Sequence, residues 1–122
     1  MKAQAAIYHG PKQPLSAEEI EIDAPMEHEV LVRNTACGVC HSDLHFASGA
    51  YSISAPSILG HESAGVIEAV GSGVSELRPG DHVVAFNISA CGICELCMAG
   101  HPVLCVNQHL TQRPPGAPPR YS

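Results

Sequence analysis

The stretch "ISACGICELCMAGHPVLC", residues 88–105, gathers four thiols at Cys91, Cys94, Cys97 and Cys105, with two, two and seven residues between them. No other feature constrains folding as strongly. Two-residue gaps let two sulfurs converge through a tight knuckle turn, and Gly92 offers backbone freedom between the first pair. The longer gap lets the chain loop back so that Cys105 closes a tetrahedron, the arrangement that suits a structural zinc with no open position. A disulfide or redox use, and an iron–sulfur cluster, are the other chemistries open to such a set. The lobe is expected over residues 90–106, and the chemistry of the protein elsewhere.

Compartment bears on that choice. "MKAQAAIYHGPKQP" meets Gly and Pro before any apolar run long enough for a secretory signal, and no later run approaches the ~18 apolar residues of a membrane span. A cytoplasmic location is expected, with no membrane partner; there reductants keep thiols free and favour metal over disulfides. Six Lys and Arg against twelve Asp and Glu give a formal charge of -6. The basic residues are scattered singly, so nucleic acid is not an expected partner. A length of 122 residues with 45% hydrophobic content predicts one globular domain. The absence of Trp, 4% aromatics, 11 Gly and 10 Pro predict short strands joined by turns.

Two further stretches carry candidate chemistry. "CGVCHSDLH", residues 37–45, follows the period-two run "HEVLVRNTA", which predicts a half-buried strand entering a turn at Gly38 and then a short helix. "GHESAGVIEAVGSGV", residues 60–74, sets His61 and Glu62 just before another alternating run. Cys40 and His61 are a soft thiolate and a borderline imidazole, a pair that suits zinc, and Asp43 and Glu62 could ligate or orient the histidine. Taken singly, Cys40 also reads as a small buried hydrophobe, His61 as a turn histidine and Glu62 as a solvated strand end.

Gly60, His61, Glu62, Gly65, Gly71 and Val74 stand at the fixed positions of a known zinc signature. With "CGVCHSDLH" upstream and the cysteine lobe downstream in the same order, the chain resembles the medium-chain zinc-dependent alcohol dehydrogenases from residue 3 to about 110. The resemblance implies a mainly β, GroES-like irregular barrel with short helices, one catalytic zinc and one structural zinc. The strands read as "KAQAAIY", "EEIEI", "EVLVRNT", "AGVIEAV" and "DHVVAF", with "GSGVSELRPG" a hairpin-like connection. Zinc-free quinone reductases of the same superfamily lack this ligand set.

Carried over position by position, Cys40 and His61 match catalytic zinc ligands, and Glu62 matches a carboxylate that can approach the metal. Asp43 matches the acid that accepts the spare ring N–H of His61. Ser42 matches a hydroxyl that hydrogen-bonds the zinc-bound alcohol, His45 a histidine that passes its proton to solvent, and His41 a group that meets the cofactor pyrophosphate. As His rather than Arg, it would be a weaker, pH-dependent anchor. Cys91, Cys94, Cys97 and Cys105 match the structural zinc set. Cys37 reads as buried packing and Leu44 as helix filler, while Phe46, Tyr51 and Ile58 read as core residues that could edge a pocket. The implied reaction is oxidation of an alcohol to an aldehyde or ketone, with zinc as Lewis acid and hydride passing to NAD or NADP. The complete enzyme is expected to act on a small alcohol or carbonyl and to be a homo-oligomer.

Departures from the family pattern shape the remaining expectations. No Gly-x-Gly-x-x-Gly turn occurs in the sequence, and no seventh cysteine supplies the usual third catalytic ligand. Residues 1–122 are therefore expected to be a partial, truncated GroES-like domain without a Rossmann domain, inactive alone and leaving an unpaired edge. The alternative is a non-catalytic zinc-binding module.

Overall fold

The computed structural model describes residues 1–117, 120 and 121. Two compact units divide the chain, one formed by Met1–Ala85 with Arg120 and Tyr121, the other beginning at Phe86.

Alternation dominates the first unit. Strand β1, Lys2–Tyr8, buries Ile7 and Tyr8 at its end, and pairs antiparallel with β2, Ser16–Glu21. Its other edge takes the two-residue strand β4, Ser57–Ile58, through Ile7↔Ile58 and Tyr8↔Ser57. Strand β3, Val30–Gly38, pairs antiparallel with β5, Glu62–Val70, and β5 pairs in turn with β6, His82–Val84. The result is two three-stranded sheets, ordered β2-β1-β4 and β3-β5-β6. Ile67, at the centre of β5, is 1% exposed and anchors the second sheet. Register shifts between Leu31 and Val32 and between Asn34 and Ala36 mark bulges in β3, which re-aim the strand toward its end.

Gly38 does not begin a turn: it is the last residue of β3 and lies opposite Glu62. Helix α1 then runs His41–Ser48 with Cys40 as its N-cap residue. Asp43, three residues into the helix, accepts the backbone N–H of Cys40 at 3.0 Å, satisfying a donor that the helix itself leaves unpaired. Near the chain's far end, Ile22 bridges Tyr121, and Arg120 pairs with Glu29 at 2.9 Å.

The second unit has little regular structure. Helix α2, Glu95–Met98, is one turn long, and 3-10 turns cover Pro102–Leu104 and Gln108–Thr111. Among the described residues of this unit only Cys105 is buried, while Ile93, Met98, Val103, Leu104, Val106 and Leu110 are exposed. Such a unit has no apolar core to hold it together. The expected lobe, residues 90–106, lies inside this wider unit.

Three burial expectations fail. Cys37, expected to be packed, is exposed, like the whole second half of β3, where nothing covers the side chains from Arg33 to Gly38 closely enough to bury them. Leu44 is 54% exposed and Tyr51 52% exposed, so neither fills a core; Tyr51 instead covers rings of α1. Phe46 and Ile58 are half-buried.

Candidate metal centres

Sheet pairing assembles the first centre from two distant segments. The antiparallel match of β3 and β5 places Gly38 opposite Glu62, so Cys40, just beyond β3, comes beside His61, just before β5. His61 is fixed from both directions, since β4 ends at Ile58 on the β1 edge and β5 begins at Glu62. The turn between them needs Gly60, whose φ of 109° suits glycine. One ligand atom from each of Cys40, His61 and Glu62 lies within 4.8 Å of the others.

The neighbours of this trio are ordered. His61 Nδ1 faces Asp43 Oδ1 at 3.6 Å, while Ser42 Oγ approaches His61 Nε2 at 3.4 Å. Asp43 thus ties the two candidate ligands together, through the His61 ring on one oxygen and the Cys40 backbone on the other. The Ser42 hydroxyl, then the Ser42 backbone and the His61 ring, pull the Cys40 thiol below its ordinary range. The Cys40 sulfur in turn raises His61, with Asp43 and Glu62 adding to the effect against partial desolvation. A sulfur biased toward thiolate beside an imidazole and a carboxylate is a donor set that fits a borderline dication.

Asp43 does not join the donor trio, in which Glu62 gathers with Cys40 and His61. Ser42 reaches toward His61 and, among the described residues, makes no hydrogen bond to His45. The ring of His45 is held between those of His41 and Tyr51, each at a centroid distance of 4.8 Å. His41 is exposed at the first position of α1. The packing of Tyr51 on His45 carried no sequence signal, since it depends on how the chain returns after Gly49.

The second centre is local. Cys91, Cys94, Cys97 and Cys105 bring their sulfurs within 4.8 Å of one another. A tetrahedron of ~2.3 Å zinc–sulfur bonds has edges of about 3.8 Å, a size that such a cluster accommodates. Gly92 takes φ 74° in the first knuckle, as its position between Cys91 and Cys94 leads one to expect. Backbone N–H groups aim at the sulfurs: Cys91 donates to Cys105 Sγ at 3.3 Å, and Cys94 to Cys91 Sγ and Asn107 to Cys105 Sγ at 3.4 Å each.

Those amides favour negative sulfur, and the crowding opposes it. Backbone N–H groups of Cys97 and Val106 pull Cys94 down to about 6, and the Ile93 backbone lowers Cys91. Desolvation, followed by the neighbouring Cys94, pushes Cys97 up to about 12. Four negative sulfurs therefore resist coexistence until a cation offsets them, and the donor set fits a thiophilic dication. All six cysteines are free thiols.

Comparison with known proteins follows the same residues. Positions 26–121 match the alcohol dehydrogenase GroES-like domain. The chain belongs to that family. It is 49% identical over 105 residues to an NDMA-dependent alcohol dehydrogenase of Amycolatopsis methanolica, covering 86% of this chain and 28% of the relative. It is 46% identical over 113 residues to an S-(hydroxymethyl)glutathione dehydrogenase of Haemophilus influenzae, covering 92% of this chain and 30% of that protein. A crystal structure of an alcohol dehydrogenase zinc-binding domain protein from Burkholderia ambifaria superposes with a TM-score of 0.80 at 43% identity, covering 87% of this chain and 28% of that one. Benzyl alcohol dehydrogenase from Acinetobacter calcoaceticus superposes with a TM-score of 0.79 at 37% identity, covering 87% and 29%. The mainly β, GroES-like fold with a cysteine lobe is thus the family fold, and the chain spans under a third of the length of these relatives. No helix among the described residues is long and apolar enough to cross a membrane.

Proposed function

We propose that this chain forms the zinc-holding catalytic part of an alcohol dehydrogenase, which in its complete form oxidises a small alcohol to an aldehyde or ketone and passes hydride to NAD or NADP. The observation that carries the reading is the convergence of Cys40, His61 and Glu62 within 4.8 Å. In this reading those three residues hold the catalytic zinc, and Cys91, Cys94, Cys97 and Cys105 hold a structural one. Bound at the first centre, zinc supplies Lewis acidity to the substrate oxygen, and the nicotinamide supplies the hydride acceptor.

The chain's own residues do the positioning and the proton transfer. Asp43 fixes the ring of His61 from the Nδ1 side and so leaves Nε2 for the metal. Ser42 Oγ, 3.4 Å from Nε2, would hydrogen-bond the substrate hydroxyl and relay its proton, giving up its own as it accepts the substrate's. His45, its ring packed on Tyr51, would release the proton to solvent after a further group, such as a water or the bound cofactor, bridges it from Ser42. His41, exposed at the start of α1, would meet a cofactor phosphate in this reading. A reducing cytoplasmic compartment suits six free thiols, and a homo-oligomeric complete enzyme remains part of the proposal.

A second reading is a zinc-binding module with no redox chemistry of its own. Its ground is the four-cysteine lobe, whose closed donor set needs no redox chemistry. Residues 1–122 joined to the remaining part of the Haemophilus influenzae relative provide the test. The dehydrogenase reading expects nicotinamide-dependent alcohol oxidation from the joined protein and none from the 122-residue chain. Cys40→Ser or His61→Ala should abolish that activity, whereas Ser42→Ala or His45→Gln should slow it with zinc retained. Full turnover after His61→Ala would contradict the assignment.

A further inference from the structure

We propose that Gly38 is a positioning residue for the first centre: its missing side chain leaves the space into which the Glu62 carboxylate turns to reach Cys40 and His61. The inference rests on the metal reading of those residues and adds a position to it.

Geometry isolates the effect. Gly38 and Glu62 face each other across β3 and β5. A Cβ on Gly38 would overlap Glu62 Oε2 and would stand 3.2 Å from Glu62 Cβ and 3.3 Å from Cδ. Backbone conformation does not explain the glycine, because Gly38 is an ordinary strand residue and has none of the positive φ seen at Gly60. Gly60 differs on a second count as well, its added Cβ meeting Cys37 Sγ at 3.0 Å and not the carboxylate. Only at Gly38, then, does the need for glycine come from the space a candidate ligand occupies.

The overlapping atom decides what alanine would do. Oε2 is the far end of a flexible side chain, so Gly38→Ala relieves its worst overlap by rotating the carboxylate away, and the 3.2 Å contact with Glu62 Cβ by a local shift of the strands. Glu62 would then leave the donor trio, and two protein donors would remain. The loss expected is about tenfold or more in metal affinity, the scale on which groups that orient a metal ligand act.

Cobalt(II) titration of the 122-residue chain tests this, with difference spectra against Cys40→Ser isolating the first centre from the cysteine lobe. Gly38→Ala should weaken cobalt binding about tenfold and change the d–d bands in the same way as Glu62→Gln. The double substitution should match Glu62→Gln alone, since Gly38 acts only through that carboxylate. Wild-type bands and affinity in Gly38→Ala, or additive losses in the double variant, would overturn the proposal. Should Gly38→Ala fail to fold, recovery of the fold in Gly38→Ala/Glu62→Ala would support a collision with Glu62, and continued unfolding would overturn it. If Cys40→Ser and His61→Ala remove no cobalt band, the metal reading itself falls. If they do and Gly38→Ala has no effect, the role of Gly38 falls alone.

Discussion

The two candidate centres are built on opposite plans. The cysteine cluster draws all four ligands from the short run Cys91–Cys105, each placed by its own knuckle or cap, in a unit whose single buried side chain among those described is Cys105 itself. The Cys40, His61 and Glu62 set draws on segments separated by some twenty residues and is assembled by β3–β5 pairing around a sheet already anchored by Ile67. A local ligand set without a core must obtain its folding energy from the ion, whereas a set mounted on a sheet inherits a fold that exists without it. Metal should therefore be structural in the first sense and dispensable for folding in the second.

The sharpest break between the two should come from removing one lobe thiol. Cys97→Ser or Cys94→Ser should cost the lobe its ion and its order, an effect of several kcal/mol where metal binding and folding are one process. Limited proteolysis should then cut within residues 86–117 while β1 to β6 stay protected; a lobe as resistant as wild type would erase the contrast. Cys40→Ser or His61→Ala comes next. Either should empty the first centre yet change the thermal stability of the metal-free protein by no more than about 1 kcal/mol, and calorimetry on chelator-treated samples beside metal analysis would expose any larger loss.

Asp43→Asn should be milder and two-sided. Losing the acid beside His61 should weaken metal at the first centre about 10- to 100-fold. Weakening the cap on the Cys40 N–H should cost about 1 kcal/mol. Chelator competition and thermal denaturation read the two effects separately, and unchanged affinity would remove Asp43 from the centre. Smallest is the response to pH near neutrality. Ligation requires thiolates and neutral imidazole, so protons compete with metal and affinity falls as pH falls. In the lobe Cys97, pushed up to about 12, holds a competing proton that Cys94, pulled down to about 6, does not. At the first centre the Cys40 sulfur raises His61, which favours the protonated ring that competes with metal. Each displaced proton should cost about tenfold in affinity per unit of acidification, and calorimetric titration in buffers of different ionisation enthalpy should show proton release at both centres.

The same division explains what the sequence reveals. Spacing alone points to the lobe, because two-residue gaps and Gly92 fix the geometry within a few residues. Alternation reads β1 with its observed bounds, Lys2–Tyr8, and comes within a few residues for β2, β3, β5 and β6. Strand β4 escapes, since two residues carry no period and Ser57–Ile58 becomes a strand only by pairing with β1. Cys37 is misread because a cysteine that matches no metal position reads as packing, whereas its exposure is set by whether another layer covers that end of β3. At the first centre the candidate donors are legible in "CGVCHSDLH" and "GHE", but that Glu62 and not Asp43 gathers with Cys40 and His61 is not. It depends on the pairing of Gly38 with Glu62 and on Asp43 being engaged in capping α1, both consequences of the folded backbone.

Zinc content of the purified 122-residue chain, measured by atomic absorption on the wild type, Cys40→Ser and Cys97→Ser, tests the central claim most directly. Two independent centres predict two ions in the wild type, one per cluster. Each variant should retain a single ion, with Cys40→Ser keeping the lobe folded and Cys97→Ser keeping the sheets. A wild type holding one ion that Cys40→Ser leaves untouched, or a single substitution that expels both, would contradict it.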